Sequence, residues 1–151
     1  MPRHVLTGDN TIVDDLDSSP ALTATLRAIE PVLDPRAFQF VVVDRVSPAV
    51  VDAAFALVRE DEGVTAVMYE SRASELGLEG MFRAARISLT LTTALEAVGI
   101  TAAVSRVLAR AGMSCNVVAG AYHDHFFVSA DDGPRALECL RELQSAAHGT
   151  H

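Results

Sequence analysis

The sequence predicts an α+β fold, with helices lying on one face of antiparallel sheet. Three observations carry this. The run "FQFVVVDR", residues 38–45, is β-branched and aromatic, as a buried strand requires. From residue 85 onward the hydrophobic period alternates between 2 and 3.6 in the order β-α-β-β-α. The composition, 50 % hydrophobic and 21 % charged over 151 residues, is that of a globular chain with room for one compact domain or two small subdomains.

Residues 1–20 are rich in Asp, Ser and Thr without a sustained period, and are expected to be a disordered N-terminal arm. A short helix is expected over residues 21–30, with Leu22, Leu26 and Ile29 on one face and Pro31 and Pro35 stopping it. After the strand at 38–45, residues 47–70 support two readings. Val50, Ala54, Leu57 and Val58 fit a helical face that starts at Pro48. The segments "AFALVRE" and "VTAVMY" equally fit a hairpin that turns at Asp61, Glu62 and Gly63. Residues 71–77, "SRASELG", read as a short helix with Ser71 as N-cap and Gly77 just past its end.

The second half is plainer. In "ARISLTLT", residues 85–92, Ile87, Leu89 and Leu91 alternate with Ser88, Thr90 and Thr92. A helix follows, with Ile100, Val104, Val107, Leu108 and Ala111 at helical spacing, and ends at Gly112. "SCNVVAG" and "HFFVS" are two strands joined by a polar corner. The last helix begins near Pro134 and carries Leu137, Leu140 and Leu143. This order is most of a ferredoxin-like unit.

Composition excludes several functions. The formal net charge is −8, which opposes both nucleic acid and anionic membrane as partners. All 12 basic residues are arginines, so neither a Schiff base nor a P-loop lysine is available. The first residues lack the pattern of a signal peptide, and no apolar run has membrane-spanning length. Cys115 and Cys139 form no framework, so a cytoplasmic protein with two buried thiols is expected.

The polar corner "SCNVVAGAYHDHFFVS", residues 114–129, concentrates the chemistry. In an extended strand His123 and His125 point one way and Asp124 the other. His123, His125 and, across the hairpin, Cys115 make a candidate zinc set, and hence a metal-dependent enzyme as one alternative. No second histidine cluster supports it, so no metal or other cofactor is expected. Cys115, Ser114 and Ser129 are nucleophile candidates beside these histidines, but no G-x-S-x-G elbow accompanies them. The acids of "REDEG", residues 59–63, read as a solvated turn.

The string "LEAVGITAAVSRVLARAGMSCNVVAGAYHDHFFV", residues 95–128, resembles the second half of a family of small bacterial proteins built from tandem ACT domains, and "FALVREDEGVTAVM", residues 55–68, resembles its first-half counterpart. The resemblance spans roughly residues 22–145, favours the hairpin in the ambiguous stretch, and implies ferredoxin-like ACT units over residues 21–82 and 83–147. Two features depart from it: the acidic arm, and Thr92, Thr93 and Ala94, where the family tends to carry a His-Ser pair. It further implies a non-enzymatic regulatory protein that binds a free amino acid or similar effector.

On that basis Val98, Gly99, Ile100 and Thr101 are the candidates for the α-carboxylate, since a glycine turn at a helix start exposes backbone N–H groups. Taken alone, Gly99 equally reads as a tight turn and Thr101 as a cap. Asn116 and Asp124 are the candidates for the amine, Asn116 also reading as a strand-start residue bonded to its own backbone. Gly63, Val64 and Thr65 are expected to mirror the Gly99 loop in the first half. Open sheet edges make a homodimer the expected assembly, read out by an unidentified regulated protein. A purely structural dimerisation module is the remaining alternative.

Overall fold

The computed structural model describes residues 19–90 and 98–149. The expected arm therefore falls outside the described residues except for Ser19 and Pro20, as do Thr92, Thr93 and Ala94. Two helices open on the same Ser-Pro device. In α1 (Pro20–Ala28) the Ser19 hydroxyl accepts from the Leu22 N–H at 3.1 Å. In α2 (Pro48–Ala53) Ser47 does the same for Val50 at 3.2 Å. Proline at the first helical position loses no hydrogen bond there.

Both readings of residues 47–70 prove correct in part. The six-residue α2 comes first, and then β3 (Ala54–Glu60) and β4 (Gly63–Tyr69) form the hairpin. β4 runs straight into α3 (Glu70–Glu75), so Tyr69 rather than Ser71 sits at the cap, without a side-chain cap bond. Gly77 does close that helix, at φ 64°.

The remaining strands are β1 (Pro31–Leu33), β2 (Phe38–Val43), β5 (Gly80–Leu89), β6 (Asn116–Ala119) and β7 (Asp124–Ser129), with α4 (Ile100–Arg110) and α5 (Gly133–Gly149) between and after them. The strands make one antiparallel sheet in the order β3-β4-β2-β5-β7-β6, with β1 also on β5. β5 belongs to both halves: Ala84 pairs with Phe38 on one side and with Ser129 on the other. Each half is thus a βαββ unit completed by a shared strand, in the α+β, ferredoxin-like pattern.

Alternation along the strands assigns the two faces. Ala85, Ile87, Leu89, Phe126 and Val128 pack under α1, α4 and α5, whereas Val41, Val43, Ala66 and Met68 pack with Val50 of α2 and Ala73 of α3. The opposite, helix-free face carries Phe38, Val67, Ala84 and Phe127, all of them buried, with Phe40, Phe55, Tyr69 and Phe82 around them. Their burial requires the two halves to fold against each other. In a flat sheet β3 and β7 would lie about 19 Å apart, four strand spacings. Instead the Phe55 ring on β3 is centred 5.7 Å from Phe127 and 4.8 Å from His125, both on β7. Phe55 reaches them from a β-bulge, where the register shifts between Ala54 and Ala56. Helices therefore lie outside and an aromatic seam inside. No helix among the described residues is long and apolar enough to cross a membrane.

Candidate functional site

Leu89 pairs with both Pro31 and Asp124, and Asp124 with Ala119, so the ends of β5 and β6 and the starts of β1 and β7 meet at one end of the second half. From that end β5 leads towards α4, which the chain enters through Gly99, in the left-handed region at φ 98° and without a side-chain cap bond. Gly99 itself therefore lends no capping side chain to the first-turn N–H groups of α4. Val98 is 88 % exposed and Thr101 is exposed, whereas Ile100 is buried in the core. A second constraint acts on Gly99: a Cβ there would stand 2.8 Å from Leu22 Cδ2, because α1 packs directly on the turn. Asp124 occupies the same end, on the helix-covered side with Leu89.

The other candidates lie elsewhere. Asn116 pairs with Phe127 at the opposite end of β6, on the helix-free face, so β6 carries it away from the Gly99 turn. Gly63 and Val64 sit in the first-half hairpin, where Val64 pairs with Val43, and Val43 lies beyond the Gly80 end of the β2–β5 ladder. Thr65 pairs with Val42 as His125 pairs with Ser88. The first-half counterpart of the Gly99 turn is therefore the β2–α2 connection, residues 44–47, rather than Gly63 and Thr65.

The proposed metal set does not assemble either. Cys115 packs against the helix-side core, whereas His125 faces the seam; His123 and His125 are centred 6.5 Å apart. No group of three or more His, Cys, Asp or Glu side chains suited to a metal ion gathers among the described residues. Burial, partly offset by a hydrogen bond from Ser105, pushes the Cys115 thiol above its ordinary pKa, which lowers its thiolate fraction at neutral pH.

The seam contains a polar cluster that the sequence did not reveal. Asp34, in the link from β1 to β2, accepts from Arg86 Nη2 at 2.8 Å, Tyr69 Oη at 3.1 Å and Arg36 Nε at 3.1 Å. Burial alone would raise the Asp34 pKa, but the hydrogen bonds from Arg36 and Tyr69 outweigh it and hold the carboxyl below its ordinary value. The Arg86 guanidinium lies 4.7 Å from the Phe38 ring centre and 4.9 Å from that of Phe55. Beside it His125 Nδ1 shares a 2.7 Å hydrogen bond with Ser88 Oγ. Burial first, and then the nearby charges of Arg86 and His123, hold the His125 pKa below its ordinary value.

Comparison with known proteins places this architecture. Comparison with curated protein sequences yields no match. An ACT-domain family model matches residues 20–85 and a second ACT-domain model matches residues 83–142. A crystal structure of a Vibrio cholerae protein of unknown function, described as a possible transport protein, is 36 % identical, with a TM-score of 0.73 over 82 % of this chain and 96 % of that one. An Agrobacterium tumefaciens protein (17 % identical, TM-score 0.60) matches over 77 % of this chain and 89 % of its own. The ligand-free regulatory subunit of aspartate kinase from Thermus thermophilus (12 % identical, TM-score 0.58) matches over 77 % of this chain and 97 % of its own. At these lower identities the likeness concerns the fold alone. Two adjoining ACT matches that share β5, together with a relative of this identity and coverage, establish that the chain belongs to the ACT-domain family and carries two ACT domains in tandem.

Proposed function

We propose that the protein is a non-enzymatic regulatory module that binds a free amino acid at the start of α4. The observation that carries this is a helix start at Gly99 that lends no capping side chain of its own, taken with Asp124 at the end of the sheet from which β5 leads towards α4. A zwitterion needs both: N–H groups and the positive end of the helix dipole for its carboxylate, and an acid for its ammonium. The solved fold of aspartate kinase regulatory subunits supports a regulatory role of this kind. The working unit would be a cytoplasmic homodimer, with the ligand acting on a partner through its differential affinity for two states.

Thermal melts against a panel of free amino acids, each with and without EDTA, test the reading. Ligand at about a hundred times its Kd adds roughly 2.7 kcal/mol, a shift of several degrees for a chain of this size. Thr101→Glu is the matching variant, because an acid in the first helical turn suits the helix but repels a ligand carboxylate. A shift that is present in the wild type and lost in T101E supports the site. A flat panel, or equal shifts in both proteins, overturns it.

A further inference from the structure

A histidine stands at one of the contacts between the two halves. His125 stands on β7 with the Phe55 ring of β3 edge-on to it, centroids 4.8 Å apart and planes at 83°. Phe55 belongs to the other half of the molecule, so this contact is one of the points at which the sheet closes on itself. Around the imidazole, Ser88 of β5 bonds Nδ1, and Nε2 lies over the Gly120 turn, 3.7 Å from where a Cβ would stand. We propose that the seam is a proton-operated joint, in which a proton on His125 parts β3 from β7 and exposes the aromatic cluster beneath.

The charges facing His125 give the direction. From β5 comes the Arg86 guanidinium, held between the Phe38 and Phe55 rings, with its Nε buried and without a hydrogen-bond acceptor. From the turn just before β7 comes His123, a second base, and from β7 itself Asp124, whose position in the strand puts it on the opposite face and whose charge opposes the effect. Asp34 neutralises Arg86, but its carboxylate already receives Arg86, Tyr69 and Arg36. β3 brings Phe55 and β6 brings Val118, neither of which titrates. An imidazolium in this setting meets a guanidinium across a partly buried aromatic contact. Opening relieves that repulsion and returns the charge to water.

The same conclusion follows from linkage. The closed seam holds His125 below the ordinary histidine pKa, whereas an opened one lets it return to about 6.5. The open form thus binds more protons once the pH falls below about 6.5, and acid favours it. Between pH 7.5 and 5.5 Asp34 and the two thiols keep their charge states. Asp34 remains ionised because its pKa is lowered, and the Cys115 and Cys139 thiols remain protonated because theirs are raised.

Hydrogen exchange at pH 7.5 and 5.5, corrected for intrinsic rates, tests the joint directly. The amides of β3 and β7 are expected to lose protection by roughly tenfold, the response to one proton over one pH unit, while those of α4 do not change. His125→Gln should remove the dependence, and His123→Gln and His148→Gln should retain it. The wild-type imidazole titration followed by NMR provides a reading that needs no variant: β3 protection should begin to fall near pH 6.5 and level off at the midpoint of the His125 titration. Equal protection at both pH values overturns the proposal. So does a dependence that persists in H125Q, or a levelling-off that follows His123. The joint does not rest on the identity of the ligand or on the Gly99 turn.

Discussion

Arg86 and Asp34 lie 52 positions apart in the chain, yet Arg86 Nη2 donates to Asp34 Oδ2 at 2.8 Å, and their side chains are only 17 % and 7 % exposed. The pair fastens β5 to the link between β1 and β2 at the point where the two halves turn against each other. Removing one member leaves the other charge buried. Asp34→Asn is therefore expected to cost about 3 kcal/mol, the lower end of what breaking a buried pair costs, because Arg86 retains some access to water. The pH dependence has a definite sign. The folded carboxyl titrates below its unfolded value of about 3.9, so its contribution is complete above that pH and is lost as the pH falls through the lower folded pKa. Urea melts between pH 7 and 3 should show a shallower acid decline in D34N than in the wild type. Parallel declines would detach Asp34 from acid stability.

Phe55→Ala removes the ring that bridges the halves but leaves both helix-side cores intact. The ring is partly exposed, so the loss should be about 2–3 kcal/mol, below the range for a fully buried phenylalanine, which lowers the Tm by roughly 5–10 °C. The more specific expectation is local. Protection of β3 and β4 should fall further than that of α4 and α5, since the Phe55 ring packs between the halves rather than within either outer core. A uniform fall across all elements would mean that the seam and the outer cores form one cooperative unit.

Much of this fold is legible where one face of an element meets water. α4 and α5 show a clear helical period, and β7 and the β3–β4 hairpin are marked by their turns. The alternation marks β5 only from residue 85, but the strand starts at Gly80, because "MFRAA" lacks an apolar–polar alternation. Phe82 and Ala84 face the seam, whereas on the other side only Ala85 meets the helices and Met81 stands 70 % exposed. An apolar Met81 on the open side therefore hides the alternation. Arg86 has the pattern of an outward-facing residue because its alternation with Ile87 is regular, and nothing local announces that the outer face is covered by the other half. Asp34, between two prolines, has the pattern of a loop residue for the same reason. The Gly99 turn is legible as a turn, but its contact with Leu22 is not, since that depends on where α1 docks.

Both cysteines should be sluggish thiols. Burial raises the pKa of Cys115, and burial followed by the charge of Glu142 raises that of Cys139. At pH 7.5 the native protein is expected to react with a disulfide reagent at least about tenfold more slowly than the urea-unfolded chain, because the thiolate is the reactive form. Native and unfolded rates within a factor of two would show ordinary, accessible thiols, and a native rate above the unfolded one would show an activated thiol and reopen covalent chemistry at Cys115.

Gly99 answers to two constraints at once, and separating them decides how its substitutions are read. Its φ of 98° disfavours any side chain, and Leu22 Cδ2 stands 2.8 Å from the position of a Cβ. Gly99→Ala should therefore destabilise by about 1–3 kcal/mol through backbone strain alone, with a steric cost from Leu22 added. In the Leu22→Ala background that steric part disappears, while the loss of Leu22 packing costs about 2–3 kcal/mol by itself. The double-variant cycle should show that the two substitutions together cost less than the sum of the singles, by at least about 0.5 kcal/mol. An additive result would mean that α1 yields to the new methyl group, leaving strain as the only demand for glycine. In either case a loss of ligand binding in G99A would reflect a displaced α1 as readily as a blocked site. Thr101, exposed on the same turn, is the position at which binding can be tested without disturbing the fold.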